Sequence, residues 1–398
     1  MIFRFLLFLA AFAFIAWQAE PAAVLVVQFY NGSQYSDLNW VGESVSETLR
    51  GEFSAANQIV FDRDSLAEAM HRLSLRPGAD FTKATLIRLG QTLGADFVCY
   101  GSYQASLPTG QSQLKDSSIQ LSAHYIDLRK LHEGPDLAEA GKLSDLSRLE
   151  EHLAWQSLKY LDPDANLPLE SFLSPKKFTR MDAEESYVRG LLSTNTDQQQ
   201  KWFAQAIALD PQFASPAFEL GKLYLHKKDY RQAIQWLGRI NAADPRYADA
   251  RFRMGLSAYA VGDYNGAIGY FRDVLKQFPM NEVYNNLGAA ENELTMPAAI
   301  DDFRHALSGD PNDTVYLFNL GAALLRTNSF DEAAKRLRGV VDRNADDHEA
   351  QMLLDRARRR EPIQPGAKPV APERLKNNFD ETAFRQLKAM LQPKGGGQ

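Results

Sequence analysis

Cysteine is nearly absent from this 398-residue chain: Cys99 stands alone, which excludes a disulfide framework and any multi-cysteine metal site. It follows Phe97 and Val98 in an apolar run, where a free thiol behaves as a small hydrophobe. The histidines, at 71, 124, 132, 152, 226, 305 and 348, are scattered without metal-ligand spacing. There is no Gly-x-x-x-x-Gly-Lys-Ser/Thr loop, no Gly-x-Gly-x-x-Gly, no His-Glu-x-x-His and no Gly-x-Ser-x-Gly. The chain is therefore read as non-enzymatic, with no catalytic residue, cofactor or metal assigned. Basic charge is not in excess either. A net charge of −6 gives no means to neutralise phosphates, so nucleic acid is not an expected partner. The one basic cluster, residues 356–360, falls where a helix end would favour cations. The acidic pair Asp301/Asp302 is read as a solvated face, and Asp62/Asp64 as a turn with a helix start.

What is present is a period. Gly221, Ala233 and Leu237 recur as Gly255, Ala267 and Phe271, then as Gly288, Ala299 and Phe303, then as Gly321, Ala333 and Leu337. The repeat length is about 34 residues, and Pro245, Pro279 and Pro311 follow at a constant offset, with Ala345 in the last copy. Each position has a steric task. Gly allows two helices to cross closely, Ala completes the contact, the bulky residue fills the space beside it, and Pro ends the second helix. A degenerate earlier copy keeps Phe203, Ala206 and Pro211, with Gly190 closer than the period demands and a turn at residues 193–197. The pattern resembles the tetratricopeptide repeat, whose stacked antiparallel hairpins hold other proteins. About five hairpins and a capping helix are expected over residues 180–360.

The resemblance implies a groove lined by the fifth and twelfth positions of each first helix. In this chain those are Tyr187, Phe218, Phe252, Asn285 and Phe318, with Leu225, Tyr259, Asn292 and Leu325. Aromatics bury large area at low entropic cost and serve as anchors. The asparagines are placed to bond a peptide backbone. Glu219 and Arg253 in the sixth column do not suit capture of a terminal carboxylate, so an extended or helical peptide with apolar anchors is the expected ligand.

Residues 1–19 are apolar apart from Arg4 and Gln18, which marks a secretory signal peptide or an uncleaved membrane tether. Trp17 sits poorly with cleavage after Ala19. Residues 22–163 alternate strand and helix signals. A strand run starts at Ala23; helices follow through Val41, Val45, Leu49 and Phe53, from a capping box of Ser65 and Glu68, and from Thr82. A strand over residues 97–103, a hairpin to Leu143 broken at Gly134-Pro135, and a helix through Leu146, Leu149, Leu153 and Leu158 complete the unit. The class expected for the whole chain is α+β: a mixed-sheet α/β domain, then an all-α solenoid. The run 24–29 with Asn31, then Phe61-Asp62-Arg63, Gly94-Ala95-Asp96-Phe97-Val98 and Gly101-Ser102 resemble the amino-terminal domain of TolB and its FlgO and CsgG relatives. That resemblance implies an exported protein of the periplasm or bacterial envelope that contacts envelope proteins.

Residues 361–379 carry Pro362, Pro365, Pro369 and Pro372 and are expected to form an extended linker. Residues 380–392 should be a short helix capped by Asp380, with Phe384, Leu387 and Leu391 on one face; 393–398 should be disordered. Such a helix is marginal alone, so it docks on the solenoid or awaits a partner. Docking in cis would be autoinhibitory. The function expected is a scaffold binding protein partners in the groove. The alternative is a sensor whose α/β domain takes a small molecule near Asn31, Asp62 and Gly101 and whose repeats relay the event.

Overall fold

The computed structural model describes residues 21–107, 117–174, 178–363 and 372–391. The expectations for residues 1–19 and 393–398 thus lie outside the described residues. The first domain comprises β1 (Ala23–Val26), β2 (Tyr30–Asn31), α1 (Val41–Ala55), β3 (Ile59–Val60), α2 (Arg63–Arg72), α3 (Lys83–Leu93), β4 (Phe97–Ser106), β5 (Ser118–Asp127), β6 (His132–Glu133), β7 (Leu137–Lys142) and α4 (Leu146–Leu161). Among the described residues these strands form one mixed sheet in the order β3-β1-β4-β5, continued by β6 and β7 on β5, with β2 alongside β4. β1 runs parallel to β3 and β4, while β4, β5 and β7 are antiparallel neighbours.

Alternation along β1 explains why both faces are covered. Val24 and Val26 point with Phe97 and Cys99 into a core shared with Val45, Leu49 and Phe53 of α1 and Leu153 and Leu158 of α4. Leu25 and Val27 point the other way, with Val98, onto Leu66 and Met70 of α2 and Leu86 and Leu89 of α3. At the sheet centre, a Cβ on Gly101 would lie 2.2 Å from the Ser122 carbonyl oxygen and 2.3 Å from the Phe29 ring, so backbone and ring meet only because the side chain is missing. The helix α2 begins earlier than its expected capping box. The Ser65 N–H donates to Asp62 Oδ1 at 2.8 Å, because a carboxylate three residues upstream satisfies that amide and complements the helix dipole.

After the short α5 (Leu169–Leu173) the chain becomes helical hairpins: α6 (Met181–Leu192) with α7 (Thr196–Leu209), α8 (Ala214–His226) with α9 (Tyr230–Leu237), α10 (Tyr247–Ala260) with α11 (Tyr264–Leu275), α12 (Asn281–Glu293) with α13 (Ala299–Gly309), and α14 (Thr314–Arg326) with α15 (Phe330–Val341). The helix α16 (His348–Arg358) caps the stack, and α17 (Glu381–Leu391) follows. The fold is therefore an amino-terminal mixed sheet with helices followed by a helical-hairpin solenoid. The repeated glycines act by proximity: a Cβ on Gly255 would stand 2.5 Å from the Phe271 ring, and one on Gly321 2.6 Å from Leu337. In the shortened first hairpin Gly190 meets the Phe203 ring in the same way. The early turn brings a glycine one helical turn later against the same bulky partner.

Asp302 departs from the solvated face expected of it. It is half-buried, and burial, with the hydrogen bond and charge of Glu291 added, pushes its carboxyl up to about 7. Arg272 donates to that same Glu291 at 2.7 Å, joining neighbouring hairpins.

The two domains share a polar seam within a continuous apolar core. Ser44 Oγ of α1 donates to Glu184 Oε1 of α6 at 2.7 Å, and Thr48 Oγ1 donates to Glu150 Oε2 of α4 at 2.8 Å. Burial raises both carboxyls, Glu150 strongly, with the charge and hydrogen bond of Glu184 adding to its rise. Each keeps one buried oxygen with no donor among the surrounding groups. A single proton shared between the two carboxyls would satisfy both. Beside them Arg50 bonds Glu43, Glu47 and the Val26 carbonyl, and Arg63 reaches from α2 to the Leu191 carbonyl at 3.3 Å.

Candidate functional site on the first-helix face of the solenoid

The face built by α10, α12, α14 and the start of α16 is filled by the chain's own carboxy-terminal segment. Residues 373–379, the end of the extended linker expected over 361–379, lie docked there in extended form, while residues 364–371 of that span lie outside the described residues. Their backbone is held by asparagine side chains. Asn319 accepts from the Arg374 N–H at 2.9 Å and donates to the Arg374 carbonyl at 2.7 Å, which also accepts from Asn285 at 2.9 Å. Two residues on, Asn286 accepts from the Lys376 N–H at 2.9 Å and donates to its carbonyl at 2.8 Å. A carboxamide offers a donor and an acceptor on one group, so it pairs with a peptide unit as a neighbouring strand would. Contacts at every second residue require the ligand to be extended.

The side chains are sorted by chemistry. The Arg374 guanidinium forms a fork on Asp347 at 2.6 and 2.8 Å, touches Glu349 at 3.0 Å and lies over the Phe318 ring, 3.5 Å from its centroid. Arg374 holds the Asp347 carboxyl below its ordinary range, chiefly through that hydrogen bond. The Lys376 ammonium meets Asp313 at 2.5 Å and the Tyr316 ring at 4.9 Å. Glu373 accepts from Asn292 at 2.6 Å near Tyr259 and Arg326. Burial, then the hydrogen bond and charge of Glu293, pushes its carboxyl up to about 7. Phe379 packs on Phe252 with ring centroids 4.3 Å apart and stacks on Phe384, which meets Phe278. The Asp380 N–H donates to Glu282, and Asp380 caps α17 through the Ala383 amide at 2.9 Å. Phe384 and Leu387 pack on the solenoid while Leu391 is about half exposed. The tail thus runs from the last hairpin back toward the first domain, where α17 lies beside the edge strand β3.

The nine residues of the expected groove divide accordingly. Phe252, Tyr259, Asn285, Asn292 and Phe318 touch the tail directly. Leu325 is wholly buried and Leu225 partly. Tyr187 packs inside the first hairpin on Phe203 and Phe213, where α1 lies against α6 and leaves no open face. Phe218 is buried beneath Lys222 and Arg246. An open aromatic column is therefore not what the structure presents. Half of that column is internal packing and the other half is covered by the tail. Asn286 and Asn319 were missed, although both fall in the sixth column of the repeat and so form their own signal. The sensor site fares differently. Asn31 bonds Tyr35, Asn39 and Ser33, Asp62 caps α2, and Gly101 is pressed on Phe29, so all three are committed to local structure.

Residues 200–259 and 296–357 match one tetratricopeptide-repeat family model and residues 249–279 match another. The chain contains tetratricopeptide repeats. Among solved structures it is similar to YrrB, described as a TPR protein with an unusual peptide-binding site, at 20% identity and a TM-score of 0.40, over 45% of this chain and 92% of that one. A MamA structure aligns at 18% identity and a TM-score of 0.37, over 41% and 94%. PilF of Pseudomonas aeruginosa aligns at 18% and 0.38, over 45% and 83%. No curated protein matches the chain in sequence.

Proposed function

We propose that this chain is a non-catalytic adaptor that binds a protein partner along the first-helix face of its solenoid, and that its carboxy-terminal segment occupies that face until the partner displaces it. One observation carries the reading: a segment of the chain is held there as a ligand, by backbone-directed asparagines and side-chain-specific subsites. Buried asparagines aligned on a partner's peptide groups have little purpose in packing a helix stack, where aliphatic side chains serve better. The apolar leader and the TolB-like motifs support placing this activity outside the cytoplasm, in the bacterial envelope, with envelope proteins as partners.

The test is in-cell photo-crosslinking from a probe at Tyr259, with the leader intact, comparing the native chain with one whose Arg374 and Lys376 are changed to Glu. Protein adducts that rise in the variant, in the membrane or periplasmic fraction, support the proposal. Adducts that are absent in both chains, or confined to the cytoplasm, refute it.

A further inference from the structure

Building on that adaptor reading, we infer that the partner segment is a cationic and aromatic extended peptide, with Arg and Lys at alternate positions and Phe three residues after the Lys. The asparagines grip only peptide groups and so select conformation without selecting sequence. Selection falls to three subsites. Asp347, with its side chain 8% exposed, and Glu349 face one cation; Asp313, 16% exposed, faces the second. The Phe318 and Tyr316 rings lie beneath those same cations, which adds attraction through their negative faces.

A neutral ligand would leave Asp347 and Asp313 desolvated without a counter-charge, and an acidic one would add repulsion. Arg suits the first subsite because its planar fork matches the Asp347 carboxylate, whereas the second presents a single carboxylate oxygen to a point charge. The third subsite is the Phe252 ring, which accepts a flat side chain. Spacing follows from the chain that already sits there: 374, 376 and 379.

Competition sets a further condition. A tethered segment acts at an effective concentration on the order of millimolar, so a displacing partner must bind the open face well below that.

The experiment uses the full chain in two forms, native and R374E/K376E, with a fluorescein-labelled synthetic peptide of residues 372–391 as probe, read by anisotropy. The variant is expected to bind the peptide at least tenfold more tightly than the native chain, whose own tail competes. Peptides with Ala at both basic positions, or at the Phe379 position, should lose at least tenfold on the variant. A second opened chain, F379A/F384A, guards against a folding defect in the first and should bind the native peptide likewise.

Equal binding of the Ala-substituted peptides would overturn the inference while leaving a backbone-reading adaptor intact. Failure of both opened chains, each folded by circular dichroism, to bind the native peptide would overturn it as well. Crosslinked partners whose captured segments lack the cationic pair would refute this inference and leave the adaptor reading standing.

Discussion

Replacing Asn286 by Ala isolates the backbone grip on the tail. The side chain is fully buried and makes two bonds to Lys376, one to its N–H and one to its carbonyl. Asn285 also donates to Asn286 at 3.1 Å, but it retains Arg374 as a partner, so the substitution orphans nothing within the solenoid. Each bond contributes about 0.5–1.5 kcal/mol net against a solvated, undocked tail, for a total of about 1–3 kcal/mol. That range corresponds to about a 5- to 150-fold weaker docking equilibrium. Hydrogen exchange resolved to single amides measures it directly. The Lys376 amide should exchange faster by that factor, and the Arg374 amide, still bonded to Asn319, should follow as the extended segment opens. Amides within α12 should keep their protection. Unchanged exchange at Lys376 would show that the asparagine does not hold the tail. Loss of protection throughout α12 and α14 would show that it holds the solenoid instead.

Docking should also depend on pH through Glu373. Its carboxyl rises from an ordinary 4.5 to about 7 in the docked state, so its contribution to docking is full below the free value and is lost as pH climbs through 7. Tail protection, corrected for intrinsic exchange, should fall severalfold between pH 6 and 8, and Glu373→Gln should abolish that fall; a wild-type profile that is flat would contradict the assignment. At the domain seam the raised carboxyls of Glu150 and Glu184 have the same sign: the stability from a proton shared between them is full below the ordinary carboxylate range and is lost as pH rises through the folded value. Glu150→Gln, which supplies a permanent donor to Glu184, should flatten the decline in Tm with rising pH, and parallel declines in both proteins would refute the shared proton. Gly255→Ala forces a methyl toward the Phe271 ring and should cost about 1–3 kcal/mol in denaturant unfolding. An effect below a few tenths would mean that the ring moves aside freely.

Much of the fold was legible because periodicity is a local consequence of packing. The Gly, Ala and bulky positions recur because each hairpin repeats the same close crossing, and Thr82, Gly94 and the apolar run of β1 announce their elements within a few residues. The helix α2 begins at the turn and helix start read at Asp62/Asp64 and not at the capping box of Ser65, since Asp62 and Ser65 both cap well in isolation and the choice depends on which amide needs a partner. Asp302 was misjudged because the carboxylate beside it belongs to a different helix.

For the site, the sequence by itself determined the register of the repeat, the columns that face inward, and a tail rich in proline with an amphipathic end. Only the tertiary structure decided how these meet. The seven residues from Glu373 to Phe379 carry no periodic signature, and their extended form is stable because Asn285, Asn286 and Asn319 supply the pairing that a neighbouring strand would. Those asparagines come from repeats far from the tail in sequence, and no local pattern encodes a hydrogen bond that spans 89 residues. The same holds for Glu150 and Glu184, which are ordinary helix glutamates until α1, α4 and α6 close around them. Repetition is written locally, whereas a ligand held in cis exists only where distant segments converge.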